Sequence, residues 1–146
     1  MKILFLDDMQ RRHDAFKRAA IGHSVDHVFD AKSAIAALEK NEYDMIYLDH
    51  DLAAEQYEHG RDTSKDEDGC FVARSLRDMT QHHGKTVIVH SLNPIGRANI
   101  KSVLKDLYQV YMVENFVSLG ELWKVDVTIL GQALGLLPVA EKKEEA

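Results

Sequence analysis

The sequence predicts an α/β domain with a mostly parallel five-stranded sheet and helices on both faces. Three observations carry that prediction. Short apolar runs and helix-forming segments alternate five times. The first run, "KILFL", is apolar from Ile3 to Leu6, as suits a strand buried on both faces. The strand-like runs also end in acids, histidines or small polar residues, where the chain must turn back toward a helix.

Each element follows in order. "KILFL" (Lys2 to Leu6) is the first strand and stops at Asp7-Asp8. "QRRHDAFKRAA" has no breaker and reads as a helix with Phe16, Ala19 and Ala20 on its apolar side. "SVDHVF" is a weaker strand, and "DAKSAIAALEK" is a helix with Asp30 as N-cap. "YDMIYLD" is the third strand. A long acidic stretch, Ala53 to Glu67, separates it from a helix near "DGCFVARSLRDM". "KTVIVHSLN" is the fourth strand, and Pro94 opens the helix "PIGRANIKSVLKDL". "QVYMVENF" is the fifth strand. "SLGELWKVDVTILGQALG" closes the fold as a helix, with Ser118 and Glu121 spaced for a capping box and Gly135 as its stop. Residues 1–138 are expected to form one domain, and the charged end, 139–146, a disordered tail.

At 146 residues with 45% apolar content, the chain can fill one core. A net charge of -6 argues against bulk binding to duplex nucleic acid, which needs clustered Lys and Arg, but leaves room for a nucleotide or an RNA end. Cys70 has no partner for an internal disulfide and is expected to be a half-buried thiol in a reducing cytoplasm. The N-terminal apolar run is too short for a signal peptide, and no stretch suits a membrane span.

For a flavodoxin-like sheet of order 2-1-3-4-5, in three α/β/α layers, ligands sit beyond the C-terminal strand ends near the switch in strand order. The ends of strands one, three and four are "LDD", "LDHDL" and "VHSLN". Asp7, Asp8 and Asp49 would converge there as close carboxylates, which a divalent cation, Mg²⁺ first and Mn²⁺ second, or a shared proton would neutralise. The bland alternative is that Asp7 and Asp8 cap the first helix. His50 and His90 end neighbouring strands and could act as acid and base, with Asp51 orienting a histidine or adding a ligand. Ser91, Asn93 and Arg97 surround a helix start and could cradle an anion. Arg12 could reach the same anion or clamp Asp7, and its neighbour Arg11 could equally face solvent. His59 and Arg61 could serve a lid. His23, His27, His82 and His83 read as surface residues without a role.

"ILFLDD", "YLDHDL", a later "DG" and a hydroxyl residue after the fourth strand resemble the receiver domains of bacterial two-component systems. That resemblance implies Asp7 and Asp8 as metal ligands, Asp49 as the phosphoacceptor position and Ser91 as the phosphate contact. The fifth strand departs from it, because "VYMVENF" offers Glu114 where receivers carry a lysine. The set "DDMQRRH", "LDHDL", "DG" and "VHSLNPIGRANI", over about residues 1 to 105, is more similar to the divergent cyclic-phosphate processing receiver domains. This implies action on cyclic-phosphate RNA ends or related nucleotides through Asp7, Asp8, Arg12, Asp49, His50, Asp51, His90, Ser91 and Asn93.

Two functions are expected from the sequence. The first is a metal-assisted phosphoesterase that processes a cyclic phosphate, with a phosphate-containing small molecule or RNA end as partner. The second is a non-catalytic receiver-like module that binds a cation or nucleotide and a protein partner. The closing helix, with Leu119, Leu122, Trp123, Val125, Ile129 and Leu130, has apolar residues on more than one face. Core packing accounts for most of them and a homodimer for the rest.

Overall fold

The computed structural model describes residues 1–52, 68–91, 93–112 and 127–139. Five parallel strands form one sheet in the order β2-β1-β3-β4-β5, as the sequence predicts. They are β1 (Lys2–Leu6), β2 (Ser24–Val28), β3 (Met45–Leu48), β4 (Thr86–Val89) and β5 (Gln109–Met112). The helices are α1 (Gln10–Ala19), α2 (Ala31–Lys40), α3 (Gly69–Asp78), α4 (Pro94–Leu104) and α5 (Val127–Ala133).

Alternation along the three central strands divides the core into two layers. Leu4, Leu6, Ile46, Leu48, Val87 and Val89 face α2, α3 and α4. Ile3, Phe5, Met45, Tyr47 and Ile88 face α1 and α5. Both layers are closed, which is why Ile3 to Leu6 are all apolar and fully buried, and each fully buried large apolar side chain adds roughly 1.5–3 kcal/mol. The register places Phe5 opposite Tyr47 and Tyr47 opposite Ile88, so the last residues of β1, β3 and β4 end in one row.

Helix starts follow the chemistry expected of them. Asp30 accepts from the Ser33 N–H, Asp68 from the Phe71 N–H and Asn93 from the Gly96 N–H. The first helix is the exception: Met9 is its N-cap, with no side-chain cap, so Asp7 and Asp8 do not have the capping role held open for them. Gly135 has a positive φ of 75° just beyond α5, as a helix stop requires. Residues 118–126, with the expected capping box, lie outside the described residues, as do the Ala53–Glu67 stretch with His59 and Arg61, Glu114, and residues 140–146 of the tail. Val127 and Leu130 of the closing helix pack into the core.

Two expectations about histidines are corrected. His82 is fully buried, and its Nε2 meets the Leu38 carbonyl at 2.7 Å, tying the 3-10 turn before β4 to the end of α2. His27 is half-buried, and its Nδ1 lies 2.7 Å from His13 Nδ1. Local sequence could not show either, because each burying partner lies on another element. No helix among the described residues is long and apolar enough to cross a membrane.

Candidate functional site

The site grows out of strand alternation carried one step beyond the strands. Asp7, Asp49 and His90 each stand two residues after a side chain of the α1 layer, namely Phe5, Tyr47 and Ile88. Their backbone N–H groups extend the ladder, donating to the carbonyls of Val28, Leu6 and Leu48. Parallel register therefore brings two acids and an imidazole together from positions up to 83 residues apart. All three are buried, at 0, 2 and 0% exposure, and their ligand atoms lie within 4.8 Å of one another.

Inside this inner group the charges are arranged by donors. Asp7 Oδ2 receives His90 Nε2 at 3.1 Å and Arg12 Nη1 at 3.2 Å, while Asp7 Oδ1 accepts from the Met9 N–H at 2.8 Å. Burial works to raise the Asp7 pKa, but His90, Arg12 and that N–H together hold it below the usual carboxylate value. Asp49 has weaker help, since Arg12 Nη1 is 3.7 Å from its Oδ2. Burial pushes Asp49 up to about 7, with Asp7 and Asp8 adding repulsion against the pull of His90 and Arg12. Arg12 thus clamps Asp7 as the sequence suggested. The His90 ring stacks on Phe5 at 5.0 Å and 4°, and its Nδ1 is buried with no hydrogen-bond partner among the described residues.

His50 belongs to the other layer. It follows Leu48 by two residues, and its ring packs against Gly96 at the start of α4, where an added Cβ would overlap the imidazole. Its Nδ1 meets Asp51 Oδ1 at 2.9 Å and its Nε2 lies 3.4 Å from Asp68 Oδ2. A hydrogen bond with Cys70 is the largest influence on His50. Against the cost of burial, Cys70, Asp51 and Asp68 raise its pKa to about 9, so it is an imidazolium at neutral pH. Gly69 allows this approach: its N–H donates to the His50 carbonyl at 2.9 Å, and any Cβ there would overlap the Asp49 carbonyl.

The remaining expected residues fall around these two groups. Ser91 is buried, and its Oγ accepts from the Asn93 N–H at 3.2 Å. Asn93 uses Oδ1 to cap α4 and places Nδ2 3.4 Å from Asp51 Oδ1. Arg97 is buried, with Nη1 on the Ser91 carbonyl at 2.9 Å, so it braces the loop after β4. Asp8 is half-buried and lies outside the inner group, while its charge still acts on Asp49. Arg11 is exposed.

Sequence reasoning missed Asp68 and Cys70 as partners of His50, and Gly69 and Gly96 as the spacers that admit its ring. Their signal was the "DGC" run opening a helix at the same rim. It missed His13 too, whose Nε2 lies 2.8 Å from the Asp7 carbonyl. Cys70 is buried rather than half-buried, because α3 presses its first turn onto the end of β3.

The donor set of the inner group fits a divalent cation: two carboxylate oxygens and one imidazole nitrogen within reach of a single ion. Arg12 approaches the Oδ2 atoms of both acids, so guanidinium and cation compete for the same charge.

The model of the family described as "Cyclic-phosphate processing Receiver domain" matches residues 2–106. The chain belongs to that family. No curated protein matches it. Among solved structures, it resembles a two-component response regulator from Clostridium difficile at 17% identity and TM-score 0.64, covering 92% of this chain and 96% of that one. It is similar to the response regulator TrrA from Thermotoga maritima, solved in complex with Mg²⁺ and BeF, at 17% identity and TM-score 0.62, over 93% and 98% of the two chains. A CheY-like receiver domain from Methylobacillus flagellatus gives 15% identity and TM-score 0.61, over 92% and 98%. These likenesses establish the flavodoxin-like receiver fold of this family member.

Proposed function

We propose that this chain is a metal-assisted phosphodiesterase that opens a cyclic phosphate, an RNA 2',3'-cyclic end or a related cyclic nucleotide, at the rim formed by β1, β3 and β4. The observation that carries the reading is the pairing, at the ends of β1, β3 and β4, of a histidine held as imidazolium with a buried carboxylate and imidazole group.

Asp7, Asp49 and His90 would hold the cation, which supplies Lewis-acid polarisation of a phosphoryl oxygen when bound. The nitrogen donor favours Mn²⁺ over Mg²⁺, which prefers oxygen. His50 supplies a proton: as water adds to phosphorus, losing one hydrogen to solvent, and the ester P–O bond breaks, the departing oxygen takes the hydrogen from His50 Nε2, which solvent then restores. Asp51 and Asp68 hold that imidazolium in place and in charge. Ser91 and Asn93 line the same rim, and Arg97 positions Ser91 through its carbonyl. Without a cation His90 Nε2 meets Asp7 Oδ2 at 3.1 Å and fixes that carboxylate; with one bound, His90 would instead serve as the nitrogen ligand.

The test is ³¹P NMR of the protein with Mn²⁺ or Mg²⁺ and a panel of 2',3'-cyclic nucleotides, 3',5'-cyclic nucleotides and RNA ends. Conversion of a cyclic signal to a monoester, slowed about 10²–10⁴-fold by His50→Gln, is the expected result. No conversion of any substrate would remove the reading.

A second reading, a non-catalytic receiver-like binding module, draws support from Arg12. Its guanidinium meets Asp7 at 3.2 Å and lies 3.7 Å from Asp49, so it offsets part of the charge of the two buried acids, as a purely regulatory site would need in its resting state. Nucleotides that raise the melting temperature without being consumed would favour that module.

A further inference from the structure

We infer that His50, Asp68 and Cys70 form a second metal site, one for a thiophilic divalent ion such as Zn²⁺, separate from the Asp7, Asp49 and His90 group. Their ligand atoms lie within 4.8 Å of one another. His50 and Asp68 are already turned inward by bonds made elsewhere. Asp51 Oδ1, at 2.9 Å, takes the hydrogen of His50 Nδ1, which leaves Nε2 facing Asp68 Oδ2 at 3.4 Å, and the Cys70 side chain also bonds the ring. A carboxylate on the far nitrogen of an imidazole is the arrangement that orients zinc-bound histidines and raises their basicity. Asp68 spends Oδ1 on capping α3 through the Phe71 N–H at 3.0 Å, so Oδ2 is the oxygen left for a metal.

The donor chemistry selects the ion. One nitrogen, one oxygen and one sulfur make a borderline-soft set that suits Zn²⁺ or Co²⁺ and not Mg²⁺ or Ca²⁺, while the inner group has no sulfur. A thiolate and a carboxylate together match the charge of a divalent ion, and coordination itself deprotonates the thiol. Rigidity favours binding as well. Gly69 seats the start of α3 on the end of β3, and Gly96 backs the imidazole, so the three ligands sit on packed elements. Three protein ligands leave a fourth position for water or a phosphate oxygen. This site rests on its own geometry, although both readings use His50, Asp51 and Asp68 and they exclude each other at His50 Nε2, which holds either a proton or a metal.

The experiment titrates the metal-free full chain with Co²⁺, then with Zn²⁺ in competition with a chromophoric chelator. Co²⁺ should give a thiolate-to-cobalt charge-transfer absorption that Zn²⁺ abolishes. Cys70→Ser should remove that absorption. Asp68→Asn, which keeps an oxygen for the cap, and Asp51→Asn should each weaken Zn²⁺ by about 10–100-fold. Asp7→Asn should leave the absorption in place, which separates this site from the inner group. A folded protein without the charge-transfer band, or a Zn²⁺ affinity that Cys70→Ser does not change, would overturn the inference.

Discussion

His50 and His90 end neighbouring strands yet turn into opposite layers. His90 lies on Phe5 in the α1 layer, whereas His50 lies on Gly96 and Cys70 beneath α3 and α4. They are therefore not an exchangeable acid and base in one pocket, and their substitutions should differ in kind. His90→Ala strips the buried Asp7 carboxylate of a donor and should cost about 3–5 kcal/mol in urea unfolding. His50→Ala removes a less buried imidazolium and should cost less, about 1–2 kcal/mol after solvent screening, and remove turnover. Equal losses of stability would contradict this division.

Gly96→Ala tests the seat of His50 without removing a charged group. The added methyl overlaps the imidazole, so the ring must move or the α4 start must shift, at about 1–3 kcal/mol. In ¹H–¹⁵N spectra the His50 ring resonances should move and its titration should shift toward neutrality, because the distances to Asp51, Asp68 and Cys70 change. An unchanged His50 titration would show that the ring does not rest on this glycine.

Acid should destabilise the fold through the His13 and His27 pair. His13 Nε2 donates to the Asp7 carbonyl, so its Nδ1 must accept from His27 Nδ1–H, and the pair is stable when both rings are neutral. Burial, followed by the neighbouring His13, lowers the His27 pKa to about 4; burial also lowers that of His13. Between that value and the ordinary 6.5 the unfolded chain binds more protons. Stability is therefore fully present above about 6.5 and falls with pH toward 4. The His27 share is about 1–2 kcal/mol after solvent screening. His27→Gln, which keeps a donor, should flatten the slope of melting temperature against pH in that interval.

Asp49→Asn should stabilise the metal-free protein at pH 8. Burial raises the folded pKa of Asp49 to about 7, so between 3.8 and 7 the folded state binds more protons and stability falls as pH rises. Removing the ionisable group should recover about 1–3 kcal/mol above pH 7. The same variant should lose the rise in melting temperature that Mn²⁺ gives the wild type. A wild-type melting temperature indifferent to Mn²⁺ would count against a metal at the inner group.

The chain of residues by itself determined the sheet, its order and the identity of the rim. Continuous apolar runs can be buried only between two helical layers, and parallel strands deliver their next residues to the same edge, so "LDD", "LDHDL" and "VHSLN" had to meet. What only the tertiary structure decided is how those residues divide. Strand alternation sends Asp7, Asp49 and His90 to one layer and His50 to the other, and that outcome depends on register, which a list of motifs does not contain. The partners of His50 were further out of reach. Asp68, Cys70 and Gly96 come to it because two helices pack over a strand end at distances that glycines alone permit, and such contacts arise from packing between elements rather than from any local pattern.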